Sequence, residues 1–237
     1  MTPRFRHPIA AFIKVMANGG VASPTDPIHM LQFSRDELKA AVEEAENSGT
    51  YVSAHLYTDE AIRRAVECGV RSLEHCNLIR PETARLAVER GCYALPTLIT
   101  YEILANEGAK WGLGSDSVAK IETVRRGGLE SLAIMREAGL EMAYGSDLLG
   151  EMHGYQSGEF ELRSRVLPGI EVLRSATLVA AKVCGLEGRA GIVEPGADAD
   201  LIVVDGNPLE DWSLLEGQGH RIPAIMQSGR FVKQELA

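Results

Sequence analysis

Four side chains in this sequence are placed to do metal or acid–base chemistry: Lys14, His55, His75 and Asp147. His55 closes the short apolar run "YVSAH", and His75 stands near the end of the next one, "VRSLEHC". A lone histidine at such a place is ordinarily a satisfied core or rim side chain. Two on successive runs weaken that reading, because neutral imidazole is a good zinc ligand and adjacent strands can bring two rings into one coordination sphere. Lys14 interrupts the apolar run "IAAFIKV". A buried ammonium is costly, so the lysine either snorkels at a strand end or becomes an anionic carbamate able to bridge two cations. Asp147 ends "LEMAYGSD", and a buried carboxylate needs a partner, of which a metal ion is one.

Strands and helices must alternate to position these groups. "IAAFIKV" (9–15) is short and apolar enough for a buried parallel strand. "NGGVASPTDP" is a loop, and Ser34 with Glu37 forms a capping box that opens a helix closing on Gly49. "YVSAH" is a strand, followed by a helix from Thr58 to Cys68 that Gly69 stops. "VRSLEHC" is the next strand, and a helix with Pro81 in its first turn follows, ending at Gly91. "CYALPTL" reads as a strand, and a long helix around Val118–Ala138 is expected to break or kink near Gly127 and Gly128. "LEMAYGSD" is a further strand, before the polar loop "LLGEMHGYQSGEF" and the helices "EFELRSRV" and "IEVLRSATLVAAKVCG".

Such alternation predicts parallel strands joined by crossover helices, with catalytic groups at the C-terminal strand ends as in a (β/α)8 barrel. No GxGxxG opens a helix, so a dinucleotide site is not expected. From Gly188 the pattern changes to short strands and tight turns, with a hairpin around Ser228 and Gly229. The chain thus divides into a barrel part, 1–187, and a β unit, 188–237.

Composition narrows the function classes. The chain has 237 residues, 45% hydrophobic and 24% charged, enough for one large core or two modest ones. Net charge is −9 with both signs interspersed, which argues against a nucleic-acid groove. Mean hydropathy is near zero, and no apolar run approaches the roughly 18 residues of a membrane span. The N-terminal stretch lacks the apolar core and cleavage site of a signal peptide. Cys68, Cys76, Cys92 and Cys184 show no CxxC spacing and read as reduced thiols of a cytoplasmic protein.

"FIKVMANGGVASPTD" with Lys14, "SAHLYTDEAIRRAVECGVRSLEH" with His55 and His75, and "YGSDLLGEMHGYQ" with Asp147 resemble the later metal-ligand motifs of the amidohydrolase superfamily. Its prolidase-like dipeptidases and carboxypeptidases, near the imidazolonepropionases, are the most similar branch. "GIVEPGADADLIVVDGNPL" is similar to the segment that returns to that family's β-sandwich. The resemblance implies an α/β fold, a (β/α)8 TIM barrel truncated here to about strands 4–8, with a C-terminal segment of a small β-sandwich. It implies divalent metal ions, of which zinc is the expected one, two in the intact enzyme. Lys14 as a carbamate would bridge them, His55 and His75 would hold one, and Asp147 would bind the other and shuttle the proton. A metal-activated hydroxide would then hydrolyse the amide of a dipeptide or N-acyl amino acid, with Tyr57, His153 and Gln156 on the substrate side.

The family's HxH pair is absent, since no two histidines here are separated by a single residue. By the same resemblance, the first three strands and the N-terminal half of the sandwich are expected to be missing from this sequence too. The expectations are therefore at most one metal ion per chain, low activity, and open barrel edges that favour a homo-oligomer or pairing with another chain. A cyclic-amide hydrolase, an inactive fragment serving as a binding module, and an open α/β protein with structural histidines are the competing readings.

Overall fold

Four of the apolar runs pair side by side in parallel: β1 (Ile13–Met16), β2 (Val52–Thr58), β3 (Ser72–Leu78) and β4 (Tyr93–Leu95), in that order across the sheet. This is a computed structural model that describes residues 11–111 and 114–236. The part of the first predicted strand before residue 11 lies outside the described residues. Nearly all of β2 and most of β3 are buried, as expected of a parallel strand covered on both faces. The register sets His55 opposite Glu74 and Leu56 opposite His75.

The connecting helices start where the sequence places them. α1 (Arg35–Asn47) carries the capping box: the Ser34 hydroxyl accepts from the Glu37 N–H, and the Glu37 carboxylate accepts from the Ser34 N–H. α2 (Asp59–Glu67) is capped by Thr58, and Asp59 and Glu60 in its first turn complement the helix dipole. α3 (Pro81–Glu89) begins on its proline, whose missing N–H costs nothing in the first turn.

Several expectations need correction. β2 and β3 run three residues past His55 and His75, so neither imidazole is strand-terminal. The regular geometry nevertheless breaks there. The register shifts between Leu56 and Thr58, and His75 and Cys76 take left-handed backbone at φ 71° and 56°. In "CYALPTL" only Tyr93–Leu95 pair, because the chain turns into α4 (Leu98–Glu107), a helix with apolar residues on all sides. α5 (Ser115–Ala138) passes through Gly127 and Gly128 without a break. Those glycines serve close approach instead. A Cβ at Gly127 would lie 2.5 Å from the Asn77 carbonyl oxygen, and one at Gly128 2.6 Å from the Leu98 side chain. "LEMAYGSD" makes only one parallel bridge, Met142 to Ala94, since the Tyr144 N–H turns away to the Ser175 carbonyl.

α6 (Gly158–Ser164) precedes a helical run made of α7 (Gly169–Arg174), a π-helical turn at Ser175–Val179 and α8 (Ala180–Val183). The tail forms an antiparallel sheet of β5 (Leu201–Val203), β6 (Ala224–Gln227) and β7 (Arg230–Gln234). Its hairpin turns at Ser228 and Gly229, both at positive φ, as the type I′ geometry requires. Trp212 stacks on Phe160 at 5.8 Å between ring centres and joins the same core as the parallel sheet. Among the described residues no helix is long and apolar enough to cross a membrane.

One buried ion pair stands out. Glu159 and Arg163 of α6 are fully buried and meet at 2.8 Å. Burial pushes the Glu159 carboxyl up to about 7, against the pull of Arg163. At pH 8 the carboxylate is charged, and Glu159→Gln leaves an unpaired guanidinium in the core. Removing one partner of a buried pair costs about 3–5 kcal/mol. Urea denaturation at pH 8 should therefore register a large loss for Glu159→Gln and almost none for Glu82→Gln, whose pair with Arg85 is exposed. Equal stability of the two variants would contradict this account.

Candidate functional site

A cavity of about 690 Å³ opens at the C-terminal side of the parallel strands. Lys14 from β1, His55 and Tyr57 from β2, His75 from β3, and Asp147 from the segment after Met142 all line it. The His55 and His75 rings lie 4.7 Å apart edge to face, and His75 Nε2 stands 4.0 Å from Asp147 Oδ2. Val21, Leu104, Leu149 and Met152 form an apolar wall. His75 and Asp147 both hold left-handed backbone, at φ 71° and 49°. Such strain costs on the order of 1–3 kcal/mol per residue and persists only where the surroundings impose it.

His153 and Gln156 do not line this cavity. Both are exposed, His153 on a 3-10 turn and Gln156 just beyond it, and the Gln156 carbonyl accepts a hydrogen bond from Tyr144 Oη. The residues of that turn that do reach the cavity are Gly150, Glu151 and Met152. Spacing along a polar loop carries no information about which side of the turn faces inward.

Desolvation governs the site's charges. Burial lowers the His55 pKa to about 4, with the Lys14 charge adding to it and a hydrogen bond to the Gly19 carbonyl opposing it. Burial also holds His75 well below its ordinary value, helped by His55 and Lys14. Both imidazoles are therefore neutral at pH 7, the form that donates a lone pair. Asp147 is raised by partial burial, which outweighs the attraction of Lys14. Burial likewise raises the Tyr57 phenol.

Other residues, passed over in the sequence, support the residues that line the cavity. Glu74 lies 4.0 Å from Lys14 Nζ and accepts hydrogen bonds from Ser53 and Ser72. Asn18 is buried. Its amide donates to the Ile28 and Met30 carbonyls, and its oxygen accepts from the Tyr57 and Thr58 N–H groups. It thereby fastens the β1–α1 loop to the end of β2. Lys120 of α5 reaches the Ser23 carbonyl at 2.6 Å and the Asp26 carbonyl at 3.3 Å on the same loop. The "NGG" that opens that loop was one available signal, since only glycine fits at Gly19 against the Pro27 carbonyl.

Two neutral imidazoles and a carboxylate suit a divalent cation, and the His75 Nδ1 contact with Thr97 Oγ1 at 2.8 Å is the outer support a ligating histidine ordinarily has. Among the described residues, however, no three His, Cys, Asp or Glu side chains stand close enough together to hold a metal ion. Lys14, as an ammonium, adds positive charge to the set. The donor chemistry thus fits the group, while a closed shell would require Lys14 as a carbamate or ligands from elsewhere.

Comparison with known proteins shows the family. Residues 3–231 match the Amidohydrolase family. Ochratoxinase of Aspergillus niger is 31% identical over 226 residues, which cover 94% of this chain and 46% of that protein. The crystal structure of a prolidase complexed with N-methylphosphonate-L-proline superposes with TM-score 0.92 at 52% identity, over 95% of this chain and 55% of that one. A Xaa-Pro dipeptidase with methionine bound in its active site superposes with TM-score 0.86 at 30% identity, over 94% and 55%. The chain spans about half the length of these relatives. Its α/β architecture with a four-stranded parallel sheet matches the corresponding part of their barrels, and the chain belongs to the amidohydrolase family.

Proposed function

We propose that this chain contributes to a metal-dependent hydrolase that cleaves the amide bond of dipeptides or N-acyl amino acids. The observation that carries the reading is the convergence of Lys14, His55, His75, Asp147 and Tyr57 on one cavity at the C-terminal side of parallel strands. His55, His75 and Asp147 would hold a divalent cation, zinc by their donor chemistry, together with Lys14 as its carbamate. Such a cation supplies Lewis acidity toward the amide carbonyl and makes water acidic enough to be a nucleophile at neutral pH.

The protein's own groups do the rest. Asp147 Oδ2 takes the proton from the attacking water and delivers it to the departing amine nitrogen, a role suited to a carboxyl whose pKa is raised. The Tyr57 hydroxyl donates to a substrate oxygen. The wall of Val21, Leu104, Leu149 and Met152 takes the apolar part of the substrate and excludes water. His153 and Gln156 have no part in this scheme. The division into a barrel part to residue 187 and a β unit beyond, pairing of chains through the β1 edge, and a cytoplasmic setting belong to the same proposal. A non-catalytic chain is the second reading, favoured by the absence of a closed ligand cluster among the described residues.

Hydrolysis of Xaa-Pro dipeptides and N-acyl amino acids by the purified chain should be abolished by chelator, restored by zinc, and lowered about 100-fold or more in Asp147→Asn. Metal analysis should find at most one tightly held ion per chain. Two tightly held ions, or chelator-insensitive hydrolysis, would overturn the scheme.

The same neutral imidazoles predict a pH effect. The folded His55 pKa lies below its unfolded value, so its stabilising contribution is complete above about 6.5 and is lost as pH falls through about 4. Glu159 works the opposite way in this range, losing stability as pH rises toward about 7, so the useful quantity is a difference. The stability of the wild type relative to His55→Asn, measured by urea denaturation in chelator, should shrink from pH 6.5 to pH 4. A constant difference would show that the ring is not held neutral.

A further inference from the structure

Behind His75 the cavity wall holds a run of hydroxyls that the proton transfer at Asp147 does not use. His75 Nδ1 lies 2.8 Å from Thr97 Oγ1. Thr97 Oγ1 donates to Tyr101 Oη at 3.5 Å, and Tyr101 Oη donates to Tyr57 Oη at 3.1 Å. All four side chains are buried.

Counting protons gives this chain a direction. Each hydroxyl has a single proton to donate. When Thr97 gives its proton to Tyr101, toward His75 its oxygen can only accept. The imidazole proton is then on Nδ1. The lone pair is on Nε2, the nitrogen nearer Asp147. Tyr101 likewise commits its proton to Tyr57, which leaves the Tyr57 proton free to turn into the cavity that this residue lines.

Thr97 is itself held from both sides. The preceding carbonyl, of Pro96, accepts from Arg163 Nη2 at 2.6 Å. Two residues on, the Ile99 N–H donates to the Glu159 carboxylate at 2.7 Å. The buried ion pair of α6 therefore grips the segment that carries the hydroxyl. Nothing in "ALPTLITYE" marks Thr97 as different from any other threonine between a strand and a helix.

We propose that Thr97 is a positioning residue which, with its proton committed to Tyr101, fixes His75 as the Nδ1–H tautomer with Nε2 open toward a cation. The consequence for metal binding rests on the function proposed above; the tautomer does not.

Two measurements on the full chain test it. The first is 15N NMR of histidine-labelled protein at neutral pH, which distinguishes Nδ1–H from Nε2–H. The second is Co2+ affinity, from competition with a chromophoric chelator and from the visible band of the bound ion. His75 should be the Nδ1–H tautomer in the wild type and should relax toward a mixture in Tyr101→Phe. Thr97→Val should weaken Co2+ binding about 10–100-fold, and Thr97→Ser, which keeps the hydroxyl, should restore most of it. An Nε2–H tautomer in the wild type overturns the proposal, as does a folded Thr97→Val protein with unchanged Co2+ affinity. If Thr97→Val does not fold by circular dichroism, the wild-type tautomer and the Thr97→Ser affinity decide. If the wild type binds no Co2+, the metal reading falls and the NMR result alone decides the relay.

Discussion

β2 and β3 have neighbours closed around both faces, and desolvation there decides the form in which every polar side chain can exist. Burial in that position disfavours an imidazolium, so His55 and His75 are neutral at pH 7. A neutral imidazole is at once a metal ligand and a hydrogen-bonding partner, and the strands lose their regular geometry beside this pair. The register shift after Leu56 and the left-handed backbone at His75 supply that break. Asp147 meets the same limit from the other side, since its carboxyl is drawn upward by partial burial while Lys14 draws it down.

Much of this was legible in the residues themselves. The capping box of Ser34 and Glu37, Pro81 at a helix start, and the Ser228–Gly229 hairpin are local rules, and local rules survived into the fold. The four chemical positions were legible because a charge or an imidazole inside an apolar run is costly and must be explained. What failed was tertiary. Gly127 and Gly128 look like helix breakers, yet the constraint at those positions is the Asn77 carbonyl and the Leu98 side chain pressing on α5. "CYALPTL" has strand composition, but only Tyr93–Leu95 pair with β3, and α4 begins at Leu98. His153 and Gln156 follow Asp147 closely in sequence and still face away, because a 3-10 turn distributes its residues around its axis.

The supporting residues were the least legible, for a common reason. Asn18, Lys120, Glu159 and Arg163 act by hydrogen-bonding backbone groups far away in the chain. A backbone carbonyl or N–H is contributed by nearly any residue type, so no pattern of letters announces the contact. The loop wall and the turn after β4 are both fastened in this manner. Precision at the cavity therefore comes from distant anchors on loops rather than from the sheet alone.

The π-helical turn at Ser175–Val179 has an evolutionary corollary. Its widened ring is equivalent to one surplus residue accommodated inside an otherwise ordinary helix. There the Ser175 carbonyl accepts from the Tyr144 N–H, and Gly191 comes close to Thr177. Deleting a single codon within this stretch would let the ladder close into α-helix with the downstream residues still in phase, since the widened turn already absorbs the extra residue. The anchoring acceptor for Tyr144 would be withdrawn at the same stroke. Length at this place thus bears on how the segment from Tyr144 to Asp147 is held, although the stretch contains no residue that lines the cavity.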